Sequence, residues 1–575
     1  MPAWGRCCPV RLKPPCRSPL LDTQSRLEVS FSRVLSAVCE GGEARSRATQ
    51  AVATAQAALQ RDPVDAREQA LVTAMHALGL AAETESDWTG AQAIFEQAET
   101  RAQLHTGPIW KALLQTIRRD LAFTISDGPQ RDHAVALLQD DLAWEREQPV
   151  TPATLAHTAQ AERTLAYSAL YAKEYDRAMA GMLREAALLR QLASLQPNNL
   201  EWQRYLANNA RQRSTVLRRQ GDDVGSLALL REAAAGNAAI LAHDPENARY
   251  LIAKLATDIA LGRTLMLGQD RAGAAAVLRP NLDEVKALRG GGAANRMCQT
   301  EAAQLEASIG NLMLLMGSSV EGIAALEESL SAARALADSA PSDPARQHAV
   351  VEAEATVARG MIIARQETEV AAHARAGIAV LEPLLAAGPL DWHAELSQLR
   401  NYLGDALVKA GDHAGALAAF EADRRAGEAL ILAYPGDDGR WRNQVAASLL
   451  RSATVQGLAN NPGSQREALD AASAAVAPLA GRDLPIVWQR TIIELRQNIA
   501  TAELVAHDHA AAIVHYEEAL QLAEALDSQF PGDETARRTH GQALMWLAAG
   551  YRIDGQTEKA DAAEARRKAL LAGPS

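Results

Sequence analysis

Prolines in short polar breaks recur along this chain at Pro63, Pro108, Pro152, Pro197, Pro245, Pro341, Pro389, Pro435, Pro485 and Pro531. Neighbouring prolines in this series stand 44 to 50 residues apart, except for one gap of 96 that spans two periods. The middle of that gap reads "LRGGGAANRM", where Gly290, Gly291 and Gly292 supply the break instead. A few residues after most breaks comes an aromatic: Trp110, Trp202, Tyr250, Trp392, Trp441 or Trp488. About nineteen residues further on comes a second break, at Gly128, Gly221, Gly268, Gly411, Asn460 and His507. Two interleaved markers held in register over most of a chain mean one structural unit copied along a line.

Each unit reads as two helices. From Trp392 the apolar positions are Leu396, Leu399, Leu403, Leu407 and Ala410, steps of three and four that define one helical face. The second half of a later unit spaces Ile513, Tyr516, Leu520 and Ala523 the same way. Asp508 is placed to cap that helix and Pro531 to end it. Asp62-Pro63, Asp244-Pro245 and Asp343-Pro344 read as helix starts. No sustained run alternates with period two, so no strands are expected. Composition agrees. Of 575 residues, 48% are hydrophobic but only 4% aromatic, and the abundant Ala suits many closely packed helices better than one large aromatic core.

The repeated stretches resemble tetratricopeptide repeats. In "LRNYLGDALVKAGDHAGALAAFEADR", Leu403-Gly404, Gly411-Asp412, Ala416 and Phe420 stand at that family's consensus spacing. Leu78-Gly79, Ala91, Phe95 and Ala98 repeat the match, as do Ala512, Tyr516 and Ala519. The period here is longer than the usual 34 or so residues by roughly two turns per helix. This longer unit, with its Pro-then-Trp entry, resembles the repeat arms of bacterial multidomain proteins, notably serine/threonine kinases with C-terminal repeats. The resemblance implies an all-α, right-handed superhelical solenoid of about twelve antiparallel helix pairs. We expect a disordered arm over residues 1–22, a first array over 23–289 and a second, continuous array over 290–575. Gly290 to Gly292 mark an expected weak point between the arrays.

Chemistry is sparse. Arg119-Asp120-Leu121 imitates a kinase catalytic loop, but Ile125 stands where the magnesium-binding Asn would be. His507, Asp508, His509 and His515 read as a solvated turn, and the five cysteines give neither a disulfide framework nor a zinc pattern. The glycine run lacks the Lys-Ser/Thr of a phosphate-binding loop. No catalytic constellation, cofactor or metal site is expected, and the recurring aromatics read as core.

The remaining candidate is surface. Repeats of this kind hold peptides on a concave face lined by the first helix of each pair. With Gly404 as anchor, the facing positions are Asn401, Asp405 and Val408, and similar offsets give Arg163, Tyr167 and Leu170, then Arg211, Thr215 and Arg218. The arginines form an expected basic stripe for an acidic peptide or C-terminus. The expected function is a non-catalytic interaction scaffold for protein or peptide partners. The alternative is the regulatory arm of a signalling enzyme whose catalytic domain lies elsewhere. A net charge of −12 argues against nucleic acid as the partner. No apolar run reaches 18 residues and the N-terminus makes a poor signal peptide, so membrane insertion is not expected and a cytoplasmic location is.

Overall fold

A computed structural model describes residues 14–37, 41–84, 87–126, 128, 130–290, 299–339, 341, 343–386, 388–479, 484, 486–505, 507–531 and 533–572. Among these residues there are twenty-four α-helices and no strand, so the chain is an all-α helical repeat. It forms two compact units, Met1–Ser318 and Ser319–Ser575. The first holds α1 (Pro14–Ala37), α2 (Gly41–Arg61), α3 (Asp65–Thr84), α4 (Trp88–Ala102), α5 (Pro108–Thr124), α6 (Arg131–Glu145), α7 (Pro152–Tyr171), α8 (Tyr175–Leu195), α9 (Leu200–Arg219), α10 (Asp223–His243), α11 (Ala248–Leu267), α12 (Arg271–Gly290) and α13 (Gln299–Leu315). The second holds α14 (Ser319–Ser339), α15 (Pro344–Ala364), α16 (Glu367–Leu381), α17 (Trp392–Lys409), α18 (His413–Ala433), α19 (Asp438–Leu458), α20 (Pro462–Val476), α21 (Ile486–Val505), α22 (His509–Gln529), α23 (Glu534–Ile553) and α24 (Thr557–Ala572). The odd-numbered helices are the first helices of the sequence repeats, and α5, α9, α11, α17, α19 and α21 carry the Trp or Tyr markers. The units divide about one helix beyond the boundary expected at residue 290. Gly291 and Gly292 of the expected weak point lie outside the described residues.

The backbone carries the period more regularly than the side chains do. A residue in the left-handed region closes each first helix from α7 onward: Lys173, Gly221, Gln269, Gly317, Arg365, Gly411, Asn460, His507 and Gly555, at intervals of 46 to 49 residues. The next amide reaches back five residues, as from Asp222 to the Leu217 carbonyl, Asp270 to Leu265 and Asp412 to Leu407, each at 2.9 Å. That is the Schellman closure of a helix C-terminus. The same Asp then caps the second helix. Asp222, Asp270 and Asp412 accept from the amides of Gly225, Gly273 and Gly415, each at 2.8 Å. Asp508 caps α22 through the Ala511 amide at 3.2 Å. A Cβ at Gly225, Gly273 or Gly415 would strike the capping carboxylate as it stands in those three turns, whereas the Asp508 cap accommodates Ala511. Gly268 is not the left-handed residue of its turn; Gln269 is.

Helix starts differ from expectation in three places, one being α3, which begins at Asp65, three residues past Asp62. α1 begins at Pro14, inside the segment expected as an arm, because a proline costs nothing in a first turn whose amides lack helical partners. Residues 1–13 lie outside the described residues. Asp343 does cap α15, accepting from the Ala345 amide at 3.0 Å. Asp244 lies four residues before α11, which Asn247 caps instead.

Two kinds of contact hold each pair together. At the crossing, Gly79 faces the Phe95 ring and Gly404 faces the Phe420 ring, with no room for a Cβ at either glycine. Both phenylalanines are buried. The second contact is a buried polar side chain at the eleventh residue of several second helices: Asp141, Glu185, Asn281 and Asp423. Asp423 accepts from Ser397 of α17 at 3.0 Å and Ser448 of α19 at 2.6 Å, so one carboxylate ties its helix to the first helices on both sides. Of the recurring aromatics, Trp110 and Trp441 are buried outright, whereas Trp202, Tyr250, Trp392 and Trp488 are only partly so.

Candidate functional site

The residues expected to bind a partner fall in two places, one in each unit. In the first unit, α7 and α9 bring Arg163, Tyr167 and Arg211 into one neighbourhood. The Arg163 guanidinium lies over the Tyr205 ring, 5.3 Å from its centroid, and its Nη1 is 4.0 Å from the Glu185 carboxylate. Tyr167 accepts a hydrogen bond from Asn208 Nδ2 at 3.4 Å, and Arg211 donates to Asn208 Oδ1 at 2.7 Å. Burial pushes the Tyr167 hydroxyl above its ordinary range, and burial lowers the Arg211 guanidinium. Thr215 spends its hydroxyl on the Arg211 carbonyl at 3.4 Å. Arg218, two turns beyond Arg211, is also lowered by burial, with Arg219 and Arg263 adding repulsion. Neither Arg211 nor Arg218 makes an ion pair among the described residues.

In the second unit, Asn401 and Asp405 line two adjoining cavities. The larger, about 630 Å³, is lined by α17, α19 and α21 alone, all of them first helices. Asn401 lies on its wall with Arg440, Asn443, Arg451, Trp488 and Arg490. The smaller, about 270 Å³, takes in Asp405 and Val408 and shares Arg451 and Thr454 with the first. Three buried polar atoms on the larger cavity's side chains have no hydrogen-bond partner among the described residues: Asn401 Oδ1, Asn443 Oδ1 and Arg490 Nε. Asn443 and Arg490 were not anticipated. Each stands two residues after its Trp, at the same repeat position, and that register was open to inspection in the sequence.

The kinase-like Arg119-Asp120 segment lies in helix α5, with both side chains buried. Arg119 Nε and Nη2 donate to the two Asp141 oxygens at 2.8 Å each, and Nη2 also reaches Glu145 at 3.0 Å. Asp120 accepts from Gln160 at 2.8 Å and pairs with His76 at 2.7 Å. Burial raises the Glu145 carboxyl to about 7 against the pull of Arg119. Asp508 is a helix cap, His509 faces Asp554 at 3.5 Å, and His515 lies between Glu503 and Glu518. A different trio, His348, Glu352 and Glu395, brings three potential metal-ligand atoms together. Its imidazole stacks on Trp392, with ring centroids 4.4 Å apart. Nε2 meets Glu395 at 2.6 Å, and Nδ1 meets Glu352 at 4.0 Å. The two ring nitrogens thus face different carboxylates.

No protein-family model and no curated protein matches the chain. Solved structures similar to it include BtubC from P. vanneervenii, at 19% identity over 44% of this chain and 92% of that one, with a TM-score of 0.33. The apo form of RapI matches at 11% identity over 72% of this chain and 100% of that one, TM-score 0.36. The human IFIT1 dimer with m7Gppp-AAAA matches at 13% identity over 87% of this chain and 90% of that one, TM-score 0.29. The class defined here is an α-helical repeat protein, and none of these findings ties it to a kinase. The exclusion of nucleic acid is corrected: one similar repeat chain was solved with a capped oligonucleotide. Net charge sums over the whole surface, whereas phosphate is met by local clusters. On membranes, the absence of a long apolar run misses α10. Among the described residues it is long and apolar enough, by length and composition alone, to cross a bilayer. Its Leu230 and Ala233 are buried in the repeat core.

Proposed function

We propose that the chain is a non-catalytic interaction scaffold that holds a segment of a protein partner along its first helices, in the cytoplasm. The observation that carries this reading is the cleft of α17, α19 and α21, where buried polar atoms lack partners on a surface built from one class of helix. A buried polar group without a partner costs about 1–3 kcal/mol, so three in one cleft favour a ligand that supplies their partners. Arg163, Tyr167, Arg211, Thr215 and Arg218 are proposed as a second contact stretch, in the first unit.

A photo-cross-linking residue tests this. Placed at Thr454, which is exposed and lines both cavities, it is expected to capture one partner polypeptide. Filling the cleft with Ala447→Trp is expected to abolish that capture. The same label at Leu432 on α18, 85% exposed, should capture it weakly or not at all. Equal capture from Leu432, or capture that survives Ala447→Trp, would move the partner to another face.

A further inference from the structure

The cleft of the second unit has a charge and a reach that narrow what it accepts; the argument rests on the scaffold reading above. Its charged lining side chains are Arg440, Arg451, Arg490 and Glu494, an excess of two positive charges in a chain of net charge −12. The three arginines are not equivalent. Arg440 is committed: it pairs with Asp391 at 2.6 Å and lies over the Trp441 ring, 4.8 Å from its centroid. Arg451 and Arg490 have looser acids, Asp405 at 3.5 Å and Glu494 at 3.4 Å. Charge-assisted pairs close to about 2.7–2.9 Å when nothing competes. Arg490 also leaves its buried Nε unused. Two guanidinium groups facing one cleft therefore have donor capacity that their own acids do not fill.

The amides set the form of the ligand. Asn401 Oδ1 on α17 and Asn443 Oδ1 on α19 are buried acceptors without donors. Peptide N–H groups, repeated along an extended chain, are the commonest donors a protein partner can bring. Packed helix axes lie about 8–10 Å apart, so three first helices span roughly 20 Å, the length of about six extended residues at ~3.3 Å each. Val487 and Trp488 add apolar wall beside the arginines.

We infer that this cleft binds an extended acidic peptide segment of about six residues, its backbone amides on Asn401 and Asn443 and its carboxylates on Arg490 and Arg451. A helical ligand would hide its N–H groups from the two asparagines, and a basic one would meet the wrong sign of charge.

The test uses the full chain and an array of end-capped hexapeptides that runs from strongly acidic to strongly basic, with a single-stranded hexanucleotide RNA beside it. Retention is expected on acidic members that also carry an apolar residue. Arg490→Gln and Asn443→Leu are each expected to weaken it about tenfold, the loss of roughly one charge-assisted or buried hydrogen bond, with unchanged helix content and melting. Neutral or basic hexapeptides retained equally well, with Arg490→Gln silent, would overturn the acidic assignment and leave the scaffold reading standing. RNA retained more tightly than any peptide and lost in Arg490→Gln would overturn the peptide assignment. If nothing on the array binds and Ala447→Trp still captures the cross-linked partner, both readings fall.

Discussion

The buried arginine of the first unit and the cleft arginines of the second use one residue type in opposite ways. Arg119 is enclosed between α5 and α6 with both carboxylates of Asp141 and Glu145 at 2.8–3.0 Å. Arg490 and Arg451 sit on a cleft wall with acids at 3.4–3.5 Å. A guanidinium sealed away from water needs short, saturated pairing, because an uncompensated buried charge destabilises strongly. One that faces water pairs loosely at little cost and stays available to a ligand. The distance to the nearest acid, read with burial, separates a structural arginine from a binding one.

The sharpest way to break this contrast is Arg119→Met. Asp141 and Glu145 would be left buried without a counter-charge, and α5 and α6 are expected to lose about 3–5 kcal/mol of local stability. Hydrogen exchange should show those two helices opening, with α17 to α21 unchanged. Loss below about 1 kcal/mol would place this pair with surface bridges. A control comes from the device both units share. Gly79→Val and Gly404→Val each drive a branched side chain into a phenylalanine ring, and each is expected to cost about 1–3 kcal/mol. Unequal costs would show that the two crossings are not equivalent.

Acidity gives a subtler distinction. Burial raises the Glu83 carboxyl from its ordinary 4.5 to about 8. The unfolded chain releases that proton near 4.5 and the folded chain near 8, so ionisation favours the unfolded state across the window between them. Stability of the first unit should fall as pH rises from about 5 to 8, and Glu83→Gln should flatten the fall. An unchanged pH profile in that variant would assign the dependence to another group, with Glu145, raised to about 7, the next to test. The smallest stability effect belongs to the cleft: Arg451→Gln should change stability by no more than about 0.5 kcal/mol, since its pair with Asp405 is exposed and loose.

Much of the architecture was legible in the residues. The Pro-then-Trp entry located the first helices, and Leu-Gly followed by Phe located the crossings, because steric demands at a close contact leave few residue choices. The turns were less visible. Asn460 and His507 stand among the expected breaks and do adopt the left-handed conformation, but Gln269 does so where Gly268 was named, and Lys173 and Arg365 were not named at all, because a non-glycine residue in that conformation leaves no mark in the sequence. The Arg119 network was hidden because its partners lie 22 and 26 residues away on the next helix, beyond any local spacing rule. Asn401 and Asp405 followed from their offsets to Gly404. Asn443 and Arg490 did not, although both stand two residues after a Trp, because the meaning of that register depends on which face of the first helix the cleft exposes.

Trp488 reports on the central claim from inside the cleft. An acidic, end-capped hexapeptide titrated into the full chain should shift tryptophan emission, and Trp488→Phe should abolish the shift while fluorescence anisotropy of a labelled peptide shows that the variant still binds. An equal emission change in both chains, with binding intact, would put the ligand beside one of the other eight tryptophans and contradict the assignment of the second unit's cleft as the binding site.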